Sequence, residues 1–415
     1  SDEPFELDIT ALDAKGLGMA EIEGRQLRVY DALIGERVVV RNLFGRSQRG
    51  KVETLQVLKS SADRVEPRCP HFGVCGACSL QHLSMEAQLA RKEAKLMSFL
   101  EDTGQVKPAM VYPPLCGPNW NYRRKARLSV RDVAAKERVL VGFRERNGKF
   151  VADMNECHIL RSEIADALPE LSEMIKGLDC RAKIPQLEVA CGDKVSAVII
   201  RNLEALSEDD VQRLEDFSAK SGLAIYLQPK GPSTVSLLAP RGLQLEYALE
   251  SLGLRFQFEP LDFIQINGGL NELMVNRALE LLQPKPEDKI LDLFCGLGNF
   301  TLPLATRAGH VTGVEGSEEM VNRGHANASL NGLNNVEFHA ADLYKSCEQT
   351  PWDQKQYNKI LLDPPRSGAL ELLPWIAAGS AEQVLYISCN PETLARDAGV
   401  LVNEHGFTLQ GAGII

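Results

Sequence analysis

Cysteine placement constrains the chemistry of this 415-residue chain more than any other feature. Cys69, Cys75 and Cys78 form a C-x5-C-x2-C run in a loop that also holds Gly73 and Gly76. Three thiolates need a fourth ligand. Cys157, in Asn155-Glu-Cys-His158 just ahead of a helix expected from Ser162, is the best-placed candidate. Four thiolates suit zinc or an iron–sulfur cluster, and the spacing alone does not choose between them. His71 and His158 read as surface or supporting histidines, while Cys116, Cys180 and Cys191, each without a partner cysteine nearby in sequence, read as structural. Ten cysteines behind an acidic, polar start suggest a reducing cytoplasm, where thiols act as ligands or nucleophiles more often than as disulfides.

Cys389 is of another kind. It lies in Ile387-Ser-Cys-Asn-Pro391, directly after an expected strand, a poor position for core packing and a good one for a nucleophile. Leu361-Leu-Asp-Pro-Pro-Arg-Ser-Gly368 closes the preceding strand and sets Asp363 across from it. Amino-methylating enzymes carry an aromatic residue after such a Pro-Pro pair. Arg366 stands there instead, which argues against a stacked amino-purine. A thiol is what carbon 5 of uracil requires. That carbon is a weak nucleophile until a thiolate adds to carbon 6, and the ring must be unpaired or flipped out to be reached. Asp363 would then hydrogen-bond the uracil edge or orient the cofactor.

Lys289-Ile-Leu-Asp-Leu-Phe-Cys-Gly-Leu-Gly-Asn-Phe-Thr301 reads as a buried strand, a glycine turn and a helix start. Gly296 and Gly298 let backbone approach a ligand. A dinucleotide site is the first alternative. However, Thr301 occupies the place of the third glycine, and Asp292 would repel a pyrophosphate. An acid beside the turn suits a ligand with positive groups, such as S-adenosylmethionine. Glu315, ending the next strand 23 residues on, suits the ribose hydroxyls, and Asp342 after the third strand suits the adenine amino group.

These residues need elements to hold them. From Phe263 on, strands at Lys289–Phe294, His310–Glu315, Val336–Ala340, Lys359–Asp363 and Gln383–Ser388 alternate with helices, the pattern of a parallel doubly wound sheet. Residues 60–261 read as a central α+β domain. A helix over Met85–Glu101, within a stretch near 80–115 that is expected to pack on the catalytic domain, precedes strands Arg127–Val130, Val139–Arg144, Leu187–Ala190, Ser196–Arg201 and Leu223–Leu227. Helices at Ser162–Lys176 and Glu208–Lys220 complete it. Residues 1–59 read as five short strands in an OB-like β-barrel, with Arg41, Arg46, Arg49 and Lys51 on one hairpin. No apolar run is long enough to cross a bilayer.

The net charge of −10 argues at first against nucleic acid. Residues 261–415 hold 10 Lys/Arg against 19 Asp/Glu and carry nearly all of that charge. Asn119–Lys149, in contrast, has ten basic residues against three acidic ones. Within it Trp120-Asn-Tyr-Arg-Arg-Lys-Ala-Arg127 interleaves aromatics with four cations, a pattern that could grip phosphates and stack on bases.

The chain resembles the bacterial 23S ribosomal RNA uracil-5 methyltransferases of the RumA type, in the RNA m5U methyltransferase family. The likeness runs nearly end to end: the C-x5-C-x2-C run, Phe263-Ile-Gln-Ile-Asn267, Asp-Leu-Phe-Cys-Gly-Leu-Gly-Asn299, Asp-Pro-Pro-Arg366 and Ser-Cys-Asn-Pro391. The resemblance implies a [4Fe-4S] cluster on Cys69, Cys75, Cys78 and Cys157. It implies S-adenosylmethionine contacts from Gln265, Phe294, Asn299, Glu315, Asp342 and Asp363, with Cys389 as nucleophile. It also implies a TRAM-type RNA-binding barrel, a Rossmann-like domain over 262–415, and a monomer acting on ribosomal RNA. In that family a glutamate in a C-terminal His-Val-Glu-Ser-like segment is the proposed base for the carbon 5 proton. The sequence ends at Ile415 ahead of any such segment, and the tail is taken as omitted. Two other readings use the same residues: a transfer RNA uracil-5 methyltransferase, and a non-catalytic RNA-binding iron–sulfur protein.

Overall fold

The structure is a computed structural model, and it describes residues 3–43, 49–146, 148–345, 347–353 and 356–415. Arg46 lies outside the described residues. The first region runs β1 (Phe5–Asp8), β2 (Ala11–Leu12), β3 (Gly18–Ile22), β4 (Arg25–Tyr30), β5 (Arg37–Asn42) and β6 (Lys51–Lys59). These form one six-stranded sheet in the order β1-β5-β6-β4-β3-β2 around a small core of Leu7, Val29, Val38, Val40 and Val52. The alternation of buried and exposed residues along β5 is what a half-buried strand requires. The stretch expected as one strand from Phe5 to Leu12 is two strands, parted at Ile9-Thr10, where Ile9 N–H donates to Glu36 O (2.9 Å).

α1 (Met85–Asp102) starts on Ser84, whose side chain accepts from Ala87 N–H. It leads to β7 (Met110–Val111), β8 (Lys125–Val133), β9 (Arg138–Gly142), α2 (Ser162–Ala165), α3 (Leu168–Lys176), β10 (Gln186–Cys191), β11 (Ser196–Arg201), α4 (Glu208–Ser221), β12 (Ala224–Leu227) and β13 (Ser236–Ala239). The helix expected over Ser162–Lys176 is broken in two. Pro169 occupies the first turn of α3 and cannot continue a helix from upstream. Strands β13-β12-β11-β10-β8-β9 make a six-stranded mixed sheet.

A hairpin, β14 (Leu245–Leu249) and β15 (Leu254–Phe258), follows. Then come α5 (Gly268–Leu282), β16 (Lys289–Leu293), α6 (Thr301–Ala305), β17 (His310–Glu315), α7 (Glu318–Leu330), β18 (Val336–Ala340), β19 (Lys359–Leu362), α8 (Leu373–Ala378), β20 (Gln383–Tyr386), α9 (Pro391–Asn403) and β21 (Gly411–Ala412). The five parallel strands take the order β18-β17-β16-β19-β20. The order reverses between β16 and β19, so a crevice opens at their carboxyl ends. One apolar core runs from Ala197 and Tyr226 of the middle sheet through Tyr247 and Phe256 of the hairpin to Leu302 and Phe338 of the last region. α1 packs on α9 through Leu96, Leu100 and Ala395. Gly104 and Gly399 permit that approach, because a Cβ on either would strike the other element's backbone. β7 pairs in parallel with β21.

Candidate active site and thiol cavity

β16 delivers Asp292 to the crevice floor. It is fully buried: Oδ2 accepts from the Thr301 hydroxyl (2.6 Å), while Oδ1 has no partner. Burial, reinforced by Asp363 and Glu315 nearby, pushes its carboxyl up to about 8. The strand ends on Phe294, which holds φ +64°, a costly left-handed conformation for a non-glycine residue. Gly296 (φ +54°) and Gly298 (φ +98°) turn the chain. At Gly298 a side chain would press on Phe338 and Leu302, so glycine is required for space as well as conformation. Glu315, at the end of β17, accepts from Gly296 N–H (3.0 Å) with one oxygen and from Gly316 and Ser317 N–H with the other. Its carboxylate is thus fixed beside the glycine turn. Asp342 is exposed. Tyr344 N–H, then Lys345, holds its carboxyl below the usual carboxylate range. Asn299 is half-buried, and Gln265 is half-buried in the strap between β15 and α5. That strap is pinned where Arg124 N–H donates to Ile266 O (2.9 Å).

β19 and β20 carry the two candidate reacting groups. Asp363 follows Leu362, and burial lifts its carboxyl to about 6. Cys389 is exposed, three residues beyond the end of β20. The two loops are bolted together. Asn390 Nδ2 and Thr393 Oγ1 donate to Arg366 O (3.0 and 3.1 Å), and Arg396 Nη2 donates to Ser367 O (2.9 Å). The Asn390 side chain also caps α9, with Pro391 at its first turn. Behind them Asp397, fully buried, accepts from Ala369 N–H (2.8 Å) and the Tyr386 hydroxyl (2.6 Å). The Tyr344 hydroxyl meets Ser367 Oγ (3.0 Å), and its ring lies 5.9 Å from that of Phe294, tying the third strand's loop to the fourth's. Asn390 was missed, although an asparagine directly before proline is an N-cap signal that could have found it. Asp397 and Tyr344 left no signal in the sequence.

Cys69, Cys75, Cys78 and Cys157 line one small cavity. Burial is the main cause that raises Cys75 to about 11, and it raises Cys78 and Cys157 as well. Neighbouring thiols add to the rise at Cys75, Cys78 and Cys157, so negative charge on all four demands a cation between them. The cysteine loop is held by a bridge from Cys75 to Glu145 and by Gly76 N–H donating to Arg144 O (2.8 Å). His71 meets Asn155 Oδ1 (3.1 Å), and His158 meets Glu156 (3.0 Å). Both imidazoles therefore have protein partners. Among the described residues no three His, Cys, Asp or Glu side chains converge as a site for one metal ion.

The basic run after Trp120 divides. Arg124 is buried and pairs with Asp193 (2.5 Å), and Lys125 donates to Pro260 O. Both serve the join between sheet and strap rather than an RNA surface, because a cation inside the protein must be paired. Arg127 is exposed and pairs with Glu188 (3.1 Å), and Trp120 lies 5.1 Å under the Arg68 guanidinium. No helix among the described residues is long and apolar enough to cross a membrane.

A five-stranded parallel sheet with a glycine turn after its first strand and carboxylates at successive strand ends defines a Rossmann-like methyltransferase domain, here behind a β-rich N-terminal region. Residues 84–409 match the family described as tRNA (uracil-5-)-methyltransferase. A 23S rRNA (uracil(1939)-C(5))-methyltransferase of Alkalilimnicola ehrlichii is 48% identical, over 100% of this chain and 93% of its own. One of Hahella chejuensis is 46% identical, over 100% and 94%. The crystal structure of a Pyrococcus abyssi tRNA (uracil-54, C5)-methyltransferase, in complex with S-adenosyl-L-homocysteine, shares the fold at TM-score 0.69 and 22% identity, over 94% of this chain and 92% of that one. The chain belongs to the tRNA (uracil-5-)-methyltransferase family.

Proposed function

We propose that this chain transfers the methyl group of S-adenosylmethionine to carbon 5 of a uracil in 23S ribosomal RNA, with Cys389 as the covalent nucleophile. The observation that carries the reading is Cys389 itself: an exposed thiol at a strand's carboxyl end, bolted to the Asp363 loop and not sealed in the core. The full-length relatives support ribosomal RNA as substrate.

The glycine turn, the fixed Glu315 carboxylate and the unpartnered Asp292 oxygen fit a ligand with hydroxyls and positive charge. Gln265, Phe294, Gly296, Asn299, Glu315, Asp342 and Asp363 would hold it. When bound, the cofactor supplies an electrophilic methyl group. Cys389 Sγ bonds to carbon 6 of the ring, making carbon 5 enolate-like. Carbon 5 takes the methyl group and gives its proton to a base, and the C–S bond breaks to free the thiolate. Asp363 orients the ring edge or the cofactor.

The four-thiol cavity fits a [4Fe-4S] cluster on Cys69, Cys75, Cys78 and Cys157. The backbone N–H groups of Ala77, Ile159 and Leu160 favour the thiolate forms of Cys75 and Cys157, and N–H groups beside cluster sulfurs tune a cluster's potential. The cluster's part is structural or RNA-positioning. The three-part organisation is a TRAM-type barrel over 1–59, the cluster domain over 60–261 and the catalytic domain over 262–415, working as a monomer.

RNA carrying 5-fluorouracil tests the mechanism, because fluorine on carbon 5 cannot leave as a cation. A covalent adduct is expected with the wild-type chain and its cofactor. No adduct, with labelled methyl still reaching RNA, would exclude the thiol route. Labelling transfer RNA but not ribosomal RNA would overturn the substrate.

A further inference from the structure

Behind the glycine turn lies a polar cluster of which this scheme uses only Asn299. Asn299 Oδ1 accepts from the Tyr247 hydroxyl (2.8 Å) and from Asn271 Nδ2 (2.9 Å), and Asn299 Nδ2 donates to Asn271 Oδ1 (2.8 Å). Tyr247 and Asn271 are 3% and 4% exposed, whereas Asn299 is half-buried. The Tyr247 ring stacks on Phe256 at 4.9 Å and lies under the Arg124 guanidinium. Arg124 is itself held by Asp193 and packs so closely on Gly268 that no Cβ would fit. Two segments distant in sequence thus converge on one carboxamide.

A carboxamide has two acceptor positions and two N–H groups. Both acceptor positions of Asn299 are filled, and one N–H is used. What remains is a single N–H. The opposite orientation would set an N–H against the Tyr247 oxygen and leave the hydroxyl proton without an acceptor, since Tyr247 has no other hydrogen-bond partner among the described residues. Leaving a buried donor unmet is the costlier arrangement. Asn299 therefore has nothing to offer an ammonium or a hydroxyl proton. It can meet only an acceptor.

We propose that Tyr247 and Asn271 are positioning residues that lock the Asn299 side chain as a single hydrogen-bond donor for the cofactor's methionyl carboxylate. The proposal rests on reading Asn299 as a cofactor contact. It divides the amino-acid end of the cofactor in two: the carboxylate goes to Asn299, and the ammonium is left to the crevice acids.

The test compares binding of S-adenosylmethionine with that of decarboxylated S-adenosylmethionine, by titration calorimetry on the full chain. The two ligands differ by that carboxylate alone. Wild type is expected to prefer the first by about tenfold or more, the range of a hydrogen bond to a charged group. Asn299→Ala should erase most of this preference by weakening only the carboxylate-bearing ligand. Tyr247→Phe and the near-isosteric Asn271→Leu should each narrow it by roughly three- to tenfold, with melting temperatures checked alongside. Should one of the two fail to fold, the other carries the test. If Asn299→Ala binds both ligands like wild type, the cofactor-contact reading itself falls. If Asn299→Ala behaves as expected but the two supporting variants keep the wild-type preference, the positioning proposal is overturned and the contact reading stands. An equal loss for both ligands in those variants marks a merely structural role, and likewise overturns it.

Discussion

The molecule holds the same functional group in two opposite settings. In the middle region four thiols line one small cavity, where burial and the neighbouring thiols oppose the ionisation of Cys75, Cys78 and Cys157. In the crevice one thiol stands in the open at the end of β20. The first setting makes sulfur a ligand that needs a cation before it can carry charge. The second leaves it free to reach a ring. The crevice acids side with the buried thiols: burial pushes Asp292 and Asp363 up, and in the proposed site a positively charged ligand would answer them. Environment, more than residue type, separates ligand from reagent.

The sharpest way to break this contrast is Cys389→Ala. Labelled-methyl transfer to ribosomal RNA should fall by at least about 10³-fold, with the melting temperature nearly unchanged because the side chain is exposed. A variant with wild-type turnover would end the comparison. Cys75→Ser should act the other way round. Cluster absorbance and RNA affinity should fall and stability drop by about 3 kcal/mol, on the order of 10 °C in melting temperature, while calorimetry still finds the cofactor site. Methyl transfer lost with fold and RNA affinity intact would show instead that the cavity takes part in chemistry.

Asp363 sharpens the same point through pH. Its carboxyl must ionise before it can attract a cation, so cofactor affinity should weaken about tenfold as pH falls from well above 6 to 5. Asp363→Asn should flatten that profile, and an unchanged slope would remove Asp363 from the cofactor. The smallest effect is expected at Asp292, in the cofactor-free protein. Its folded value near 8 stands above an unfolded one of about 3.9, so the native state holds the extra proton between them. The stability from this group is complete below about 3.9 and is lost as pH rises toward 8. Asp292→Asn should therefore melt a few degrees above wild type at pH 8 and near it at pH 4. The same offset at both pH values would show that Asp292 is ionised in the folded protein.

Much of this was readable beforehand, and the limits have physical causes. The central catalytic strands β16 and β19 are nearly continuous buried apolar runs, which announce themselves, and the sequence strands at 310–315 and 336–340 match the observed ones. Cys389 and the cavity thiols were legible because cysteine at such positions has few other uses. The hairpin of β14 and β15 was not anticipated, and with it the hydroxyl of Tyr247, whose partner lies 52 residues away. Arg124 and Lys125 look like their exposed neighbour Arg127. Only the positions of Asp193 and Pro260 reveal that they are spoken for. Hydrophobic period locates elements, but the destination of a long polar side chain depends on what the rest of the chain brings to it.

The pairing of α1 with α9, closed by Gly104 against Gly399 and by the short β7–β21 ladder, bears on how the chain is made. The apolar side of α1 meets its cover nearly three hundred residues later. While the polypeptide leaves the ribosome, the N-terminal sheet and the middle sheet can each close on neighbours already synthesised. Leu96 and Leu100 must wait for Ala395, and a chaperone that shields apolar helices has its natural window there.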